Sequence, residues 1–193
     1  VSTSPPIWTV GHSNHPFERF VGLLRAERID FVVDVRSYPR SRFASQFNRE
    51  HVEADLRSAG IGYLFLGDEL GGRPSREDHY DEHGHARYDR MAEQAPFRRA
   101  VQRLLDGCRS HRVALMCSEA DPHDCHRRLL VGKVLTEQGI QLRHIFADGT
   151  VLTENTVDLR ADESQESLFG GETAWRSTQS VSHRRRLSVS SAA

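Results

Sequence analysis

Chemistry is densest between Met116 and Arg128, in the run M-C-S-E-A-D-P-H-D-C-H-R-R, where two cysteines, two histidines and three acids fall within eleven residues. Three readings fit these residue types. Thiolate and imidazole suit zinc, so Cys117 and Cys125 with His126 or His12 form a candidate zinc set, although the spacing C-x7-C-H matches no standard ribbon or finger. Alternatively, Cys117 or Cys125 is an activated nucleophile served by a histidine base, with a helix N-terminus to hold an anion or oxyanion. The third reading assigns both cysteines to packing, where cysteine behaves as a small hydrophobe. Arg127 sits where a helix should start, and its charge opposes the helix dipole there, so it calls for an anionic partner inside the protein or on a ligand.

Other polar groups stand just after apolar runs. Gly11-His12-Ser13 follows Ile7–Val10, and Asp34 and Arg36 close the run Phe31–Arg36. The period of two puts Asp34 and Arg36 on one face of a strand, either as an internal ion pair or with Arg36 as a bidentate clamp for phosphate or carboxylate. Pro39-Arg40-Ser41-Arg42-Phe43 mixes positive charge, a hydroxyl and an aromatic ring, which fits either a nucleotide or nucleic-acid contact or simply a solvated loop. His12, Asp34, Cys117, Glu119, Cys125 and His126 are the catalytic candidates, with His12 or His126 as acid/base, and Ser13, Arg36, Ser41 and Arg127 the anion-binding ones. His79, His83 and His85 form H-x3-H-x-H, but Gly84 and the polar surroundings argue against the helix that a shared metal would need. Cys108, near a helix end, reads as structural.

These residues need elements to position them. Short apolar strands are predicted at Ile7–Val10, Phe31–Arg36, Tyr63–Leu66, Arg112–Cys117 and Leu142–Phe146. Between them the spacing predicts helices opening at Pro16, running from an Asn48 cap to about Ser58 with Gly60 as terminator, over Pro96–Asp106, and over Asp124–Glu137 ended by Gly139. Residues 71–90 read as a long polar excursion over one face. Helices alternating with fully apolar strands imply an α/β fold, a single three-layer Rossmann-like domain with a mostly parallel five-stranded sheet. In such sheets ligands bind outside the carboxyl ends of the strands, which is where the polar groups above fall.

The 193 residues suffice for one such domain, over 7–153, after a short arm at 1–6. A net charge of −1 excludes a strongly basic nucleic-acid coat and an acidic tail protein, but not a local basic site. Three cysteines do not suggest a disulfide framework. No apolar run approaches a membrane span and the start shows no charged-then-apolar signal pattern, so the expectation is a cytoplasmic protein. From residue 154 to 193 the apolar pattern fades into a flexible tail. Within it Gln165-Glu166-Ser167-Leu168-Phe169 looks like the short peptides by which bacterial DNA-repair proteins dock on the sliding clamp, with Gln165, Leu168 and Phe169 as the contact residues.

Four ordered motifs carry a family resemblance: Gly11 to Ser13; Asp34 to Arg36 with Pro39 and Ser41; Leu66, Gly67 and Leu70 to Gly72; and Cys117, Glu119, Pro122 and Cys125 to Arg127. Together, over roughly residues 7 to 150, they resemble the domain-of-unknown-function family DUF488. The resemblance implies the fold and the location of the site, and no reaction. Two functions remain open: a cysteine- or metal-dependent hydrolase or transferase acting on a nucleotide, nucleobase or other anionic substrate, and a non-catalytic DNA-maintenance adaptor that docks on the clamp.

Overall fold

The β-branched runs do form a parallel sheet, in a computed structural model that describes residues 4–157 and 175–181. Its parallel strands are β1 (Ile7–Gly11), β2 (Phe31–Asp34), β3 (Gly62–Phe65), β4 (Val113–Cys117) and β5 (Leu142–Ile145). A sixth strand, β6 (Val151–Thr153), pairs antiparallel with β5, and the order across the sheet is β3-β2-β4-β1-β5-β6. The expected five strands are therefore the parallel part of a six-stranded sheet. Three residues are too few for β6 to show a period of its own.

Alternation along the strands divides the core. Trp8, Val10, Val32, Ala114 and Met116 pack against Phe20 and Leu24 of α1 (Phe17–Ala26) and Val52 and Leu56 of α2 (Arg49–Ser58). Ile7, Val33, Leu115 and Cys117 face the other way, onto the buried Phe97, Val101 and Leu104 of α5 (Ala95–Gly107) and onto Leu130 and Leu135. The i, i+4, i+7 spacing puts the three α5 side chains on one stripe, each worth about 1.5–3 kcal/mol of burial. Gly60 and Gly139 adopt left-handed φ values of 79° after α2 and the last helix, where a Cβ would be strained. Asn48 stands at the start of α2 but does not cap it. Its Oδ1 accepts the Ser41 backbone N–H at 2.7 Å and so pins the loop after β2.

Three features depart from expectation. Residues 67–92 contain two short helices, α3 (Gly67–Leu70) and α4 (Tyr88–Ala92). The single helix expected over 124–137 is instead a π-helical stretch at Arg127–Gly132 followed by α6 (Lys133–Glu137). A π turn carries an extra residue, which lets the consecutive Arg127 and Arg128 both point inward, 0% and 8% exposed. The third departure is that residues 175–181, assigned by composition to a free tail, lie against residues 84–88. The Ala86 N–H donates to Ser177 Oγ, the Ser177 and Val181 N–H groups donate to the Ala86 and Gly84 carbonyls, and Trp175 Nε1–H donates to the Leu129 carbonyl at 2.6 Å. Gln165, Leu168 and Phe169 lie outside the described residues. Among the described residues no helix is long and apolar enough to cross a membrane.

Candidate active pocket

Adjacency of β2, β4 and β1 gathers the motifs. Gly11 is level with Cys117 and Asp34 with Met116. Past the strand ends the ladder continues, with His12 N–H and Ser13 N–H donating to the Cys117 and Ser118 carbonyls at 2.9 Å each. A Cβ at Gly11 would overlap the Glu119 backbone, so the first glycine of G-H-S is what lets the two loops touch. At this edge opens a pocket of about 520 Å³, lined by Arg36, Ser41, Cys117, Glu119, Cys125 and His126 from the sequence expectation. That volume lies in the range of small-molecule sites.

The floor is a thiol–imidazole cluster. His126 Nε2 lies 2.7 Å from the Val35 carbonyl, which can only accept, so Nε2 carries the proton. Its Nδ1 lies 3.7 Å from Cys117 Sγ and 3.9 Å from Cys125 Sγ, where it offers a lone pair when the ring is neutral and an N–H to a thiolate when the ring is charged. Cys117 Sγ is also 3.4 Å from Glu119 Oε2. Burial opposes a Cys125 thiolate, but the Cys117 thiol hydrogen-bonded to it, the Arg127 guanidinium and the His126 ring outweigh burial and hold its pKa well below an ordinary thiol's. The same hydrogen bond, with burial, pushes Cys117 well up. Burial works against a charged His126, yet its contact with Cys125 raises its pKa. The two shifts run in opposite directions, so Cys125 is the sulfur favoured as thiolate. Such a thiolate can act as nucleophile or as soft metal ligand. The ring fits here because Gly72 has no Cβ; one would sit 2.6 Å from His126 Cβ and Cγ.

Behind the pocket lies an ion pair. Arg36 Nε donates to Asp34 Oδ1 at 2.9 Å and Nη2 to Oδ2 at 2.6 Å, both residues being buried. Asp34 Oδ2 also accepts from Tyr63 Oη at 2.8 Å. His12 Nδ1 must donate to the Ser13 carbonyl, 2.7 Å away, so Nε2 accepts from Arg36 Nη1 at 2.9 Å. Burial and the adjacent Arg36 lower the His12 pKa to about 4, and the ring stacks on Phe47 at 4.3 Å. His12 and Asp34 therefore position Arg36 and do not line the pocket. Ser13, with φ 48°, also lies outside the lining. Arg127, expected as an anion clamp, turns inward. It donates to the carbonyls of Glu119 and Ala120 and lies 3.4 Å from Thr9 Oγ1. Its hydrogen bonds thus go to neutral backbone carbonyls, and it braces the site loop. Thr9 continues the chain to His144 (2.8 Å), and His144 to Glu154 (2.7 Å), all out of reach of the pocket.

Several pocket residues escaped sequence reading. Arg73 lines the pocket, and its guanidinium makes no ion pair or hydrogen bond among the described residues. Tyr88 lines it too, its hydroxyl pushed up by burial and by the neighbouring Cys125 and Cys117, so it stays protonated. Ser177, Thr178 and Gln179 arrive from the strap at 175–181. The rim loop Ser37–Ala44 holds Tyr38 and Phe43, 54% and 80% exposed, beside Arg40 and Arg42. Ser41 Oγ accepts from the Phe43 and Ala44 N–H groups and shapes that loop. His79, His83 and His85 do not converge on a metal geometry. Among the described residues the grouping with that geometry is Cys117, Cys125 and His126.

No curated protein and no solved structure matches the chain. One family does, described as domain of unknown function DUF488, and its match spans residues 16–134, from the start of α1 to the second residue of α6. That span takes in Arg36, Ser41, Gly72 and the whole Cys117–Arg127 segment, and the chain belongs to the DUF488 family.

Proposed function

We propose that this chain is an enzyme, of hydrolase or transferase type, that takes a nucleotide unit into the pocket between the rim loop and the thiol–imidazole floor. The observation that carries the reading is the pairing of two chemistries in one place. Tyr38 and Phe43 are the exposed large hydrophobic side chains among the described residues; Tyr38 lines the pocket, and Phe43 stands on the same loop just beyond the lining residue Ser41. Exposed rings interleaved with Arg40 and Arg42, and with Arg42 stacked 5.4 Å above Phe43, suit a base against an aromatic face and a phosphate against guanidinium. Arg73 supplies a guanidinium that no acid among the described residues pairs. Below the rim, the Cys117–Cys125–His126 floor supplies the reactive group, and Glu119 a carboxylate to accept a proton.

The reading is tested with the full chain. Fluorescence anisotropy with a labelled single-stranded oligonucleotide should show binding that weakens as salt rises, because phosphate contacts release counterions. Phe43→Ala should weaken it by about 5- to 150-fold, the 1–3 kcal/mol of one stacked base. Arg73→Ala should weaken it and flatten the salt dependence. Mass spectrometry of the oligonucleotide should reveal a change that Cys125→Ser abolishes. Absence of binding to single strands and mononucleotides at about millimolar concentration, some 4 kcal/mol of affinity, overturns the reading.

A further inference from the structure

We infer that the pocket floor is a zinc site in which Cys117 Sγ, Cys125 Sγ and His126 Nδ1 supply three ligands and the fourth position opens toward Glu119 and the pocket. The inference deepens the reading above, since it names the cofactor of the same pocket, and it stands on geometry. The three ligand atoms lie within 4.8 Å of one another. Zinc bonds of about 2.3 Å to sulfur and 2.0–2.1 Å to nitrogen in a tetrahedron separate sulfur from nitrogen by about 3.6 Å. The observed separations are 3.7 Å for Cys117 and 3.9 Å for Cys125, within a few tenths of an ångström of that value.

The imidazole is set for the role. Its Nε2–H is spent on the Val35 carbonyl at 2.7 Å, which fixes the tautomer with Nδ1 as the bare nitrogen. A ligating histidine that donates its other N–H to a backbone carbonyl is the usual outer shell of zinc. Gly72, lacking a Cβ, leaves the ring the space it occupies there. The ligands come from different elements, Cys117 from the end of β4 and Cys125 with His126 from the turn into the π-helix, so an ion also ties the sheet to the helix. Two sulfurs and a nitrogen favour a borderline-soft cation over magnesium or calcium. Three protein ligands with an open fourth position make a catalytic rather than a structural zinc arrangement. Glu119 Oε2, 3.4 Å from Cys117 Sγ, is placed to accept a proton from water at that position.

The test uses the full chain purified under reducing conditions from zinc-supplemented culture. Elemental analysis should give about one zinc per chain, retained by Cys108→Ser and weakened by about 100-fold or more in Cys117→Ser and His126→Ala. Because those variants risk misfolding, the decisive measurement needs none. Zinc should protect two thiols from alkylation, chelator should expose them, and peptide mapping should place them at Cys117 and Cys125. Adding zinc back to the stripped chain should raise its melting temperature. A zinc content near zero with no protection at millimolar zinc overturns the inference, as does recovery of these residues as a Cys117–Cys125 disulfide in metal-free protein. Oligonucleotide binding by the same stripped chain reports separately on the rim, so loss of the zinc inference leaves the nucleotide reading to its own result, and the reverse.

Discussion

His12 illustrates how a single side chain changes meaning between sequence and structure. Its position after a strand suits an acid/base group, and nothing in G-H-S reveals that both ring nitrogens are committed, one to the Ser13 carbonyl and one to Arg36. Burial and the neighbouring guanidinium lower its pKa from 6.5 to about 4. The unfolded chain thus binds this proton more readily than the folded one between those values. The contribution to stability is complete above pH 6.5 and is lost as pH falls toward 4, by up to about 3 kcal/mol. Denaturant titrations at pH 7.5 and 4.5 should show that loss, and His12→Gln should remove most of it. A ring that titrates near 6.5 by NMR contradicts the argument. The Asp34–Arg36 pairing was legible from the period of two, but whether it faces ligand or protein was not, because that depends on Tyr63 and His12 arriving from other strands.

Elements were easiest to read where one pattern dominates. The β-branched runs and the Phe97–Leu104 stripe announce themselves, and Gly60 and Gly139 stop their helices as composition suggests. The π-helix at Arg127–Gly132 was not legible, since its extra residue leaves the apolar spacing of Leu130, Val134 and Leu135 close to helical. Nor was the role of L-G-x-x-L-G-G. Gly72 there reads as loop punctuation, yet its missing Cβ makes room for the His126 ring. Gly72→Ala should therefore cost about 1–3 kcal/mol, the usual range for overpacking, and should alter the reactivity of Cys117 and Cys125 toward alkylating reagents. Unchanged thiol kinetics at unchanged stability would show that the ring has room to give way.

At the scale of the molecule, the edge where the motifs meet followed from the rule for parallel sheets, whereas the pocket wall did not. Part of that wall is the strap at 175–181, and its sequence W-R-S-T-Q-S-V offers Trp175 and Val181 as its only apolar anchors. Backbone hydrogen bonds to residues 84–88 hold most of it, and backbone groups leave no trace in composition. Trp175 also stacks with Lys133 at 5.0 Å. Trp175→Ala should destabilise the chain by about 2 kcal/mol, less than the 3–5 kcal/mol of a fully buried ring. Hydrogen exchange should quicken at Ala86, Tyr88, Ser177 and Val181. If those amides keep their protection, the strap does not depend on its tryptophan.

The anchoring of residues 175–181 has a consequence for chain topology. Residues 158–174, which contain Gln165, Leu168 and Phe169, are bounded on one side by Val157, 2% exposed, and on the other by Trp175. The covalent path therefore leaves the described fold at Val157 and rejoins it at Trp175, so a single cut between them would leave the strap attached only by its noncovalent contacts, chiefly those with residues 84–88 and the Leu129 carbonyl. A nicked chain that still copurifies as one particle would measure how much those contacts hold by themselves.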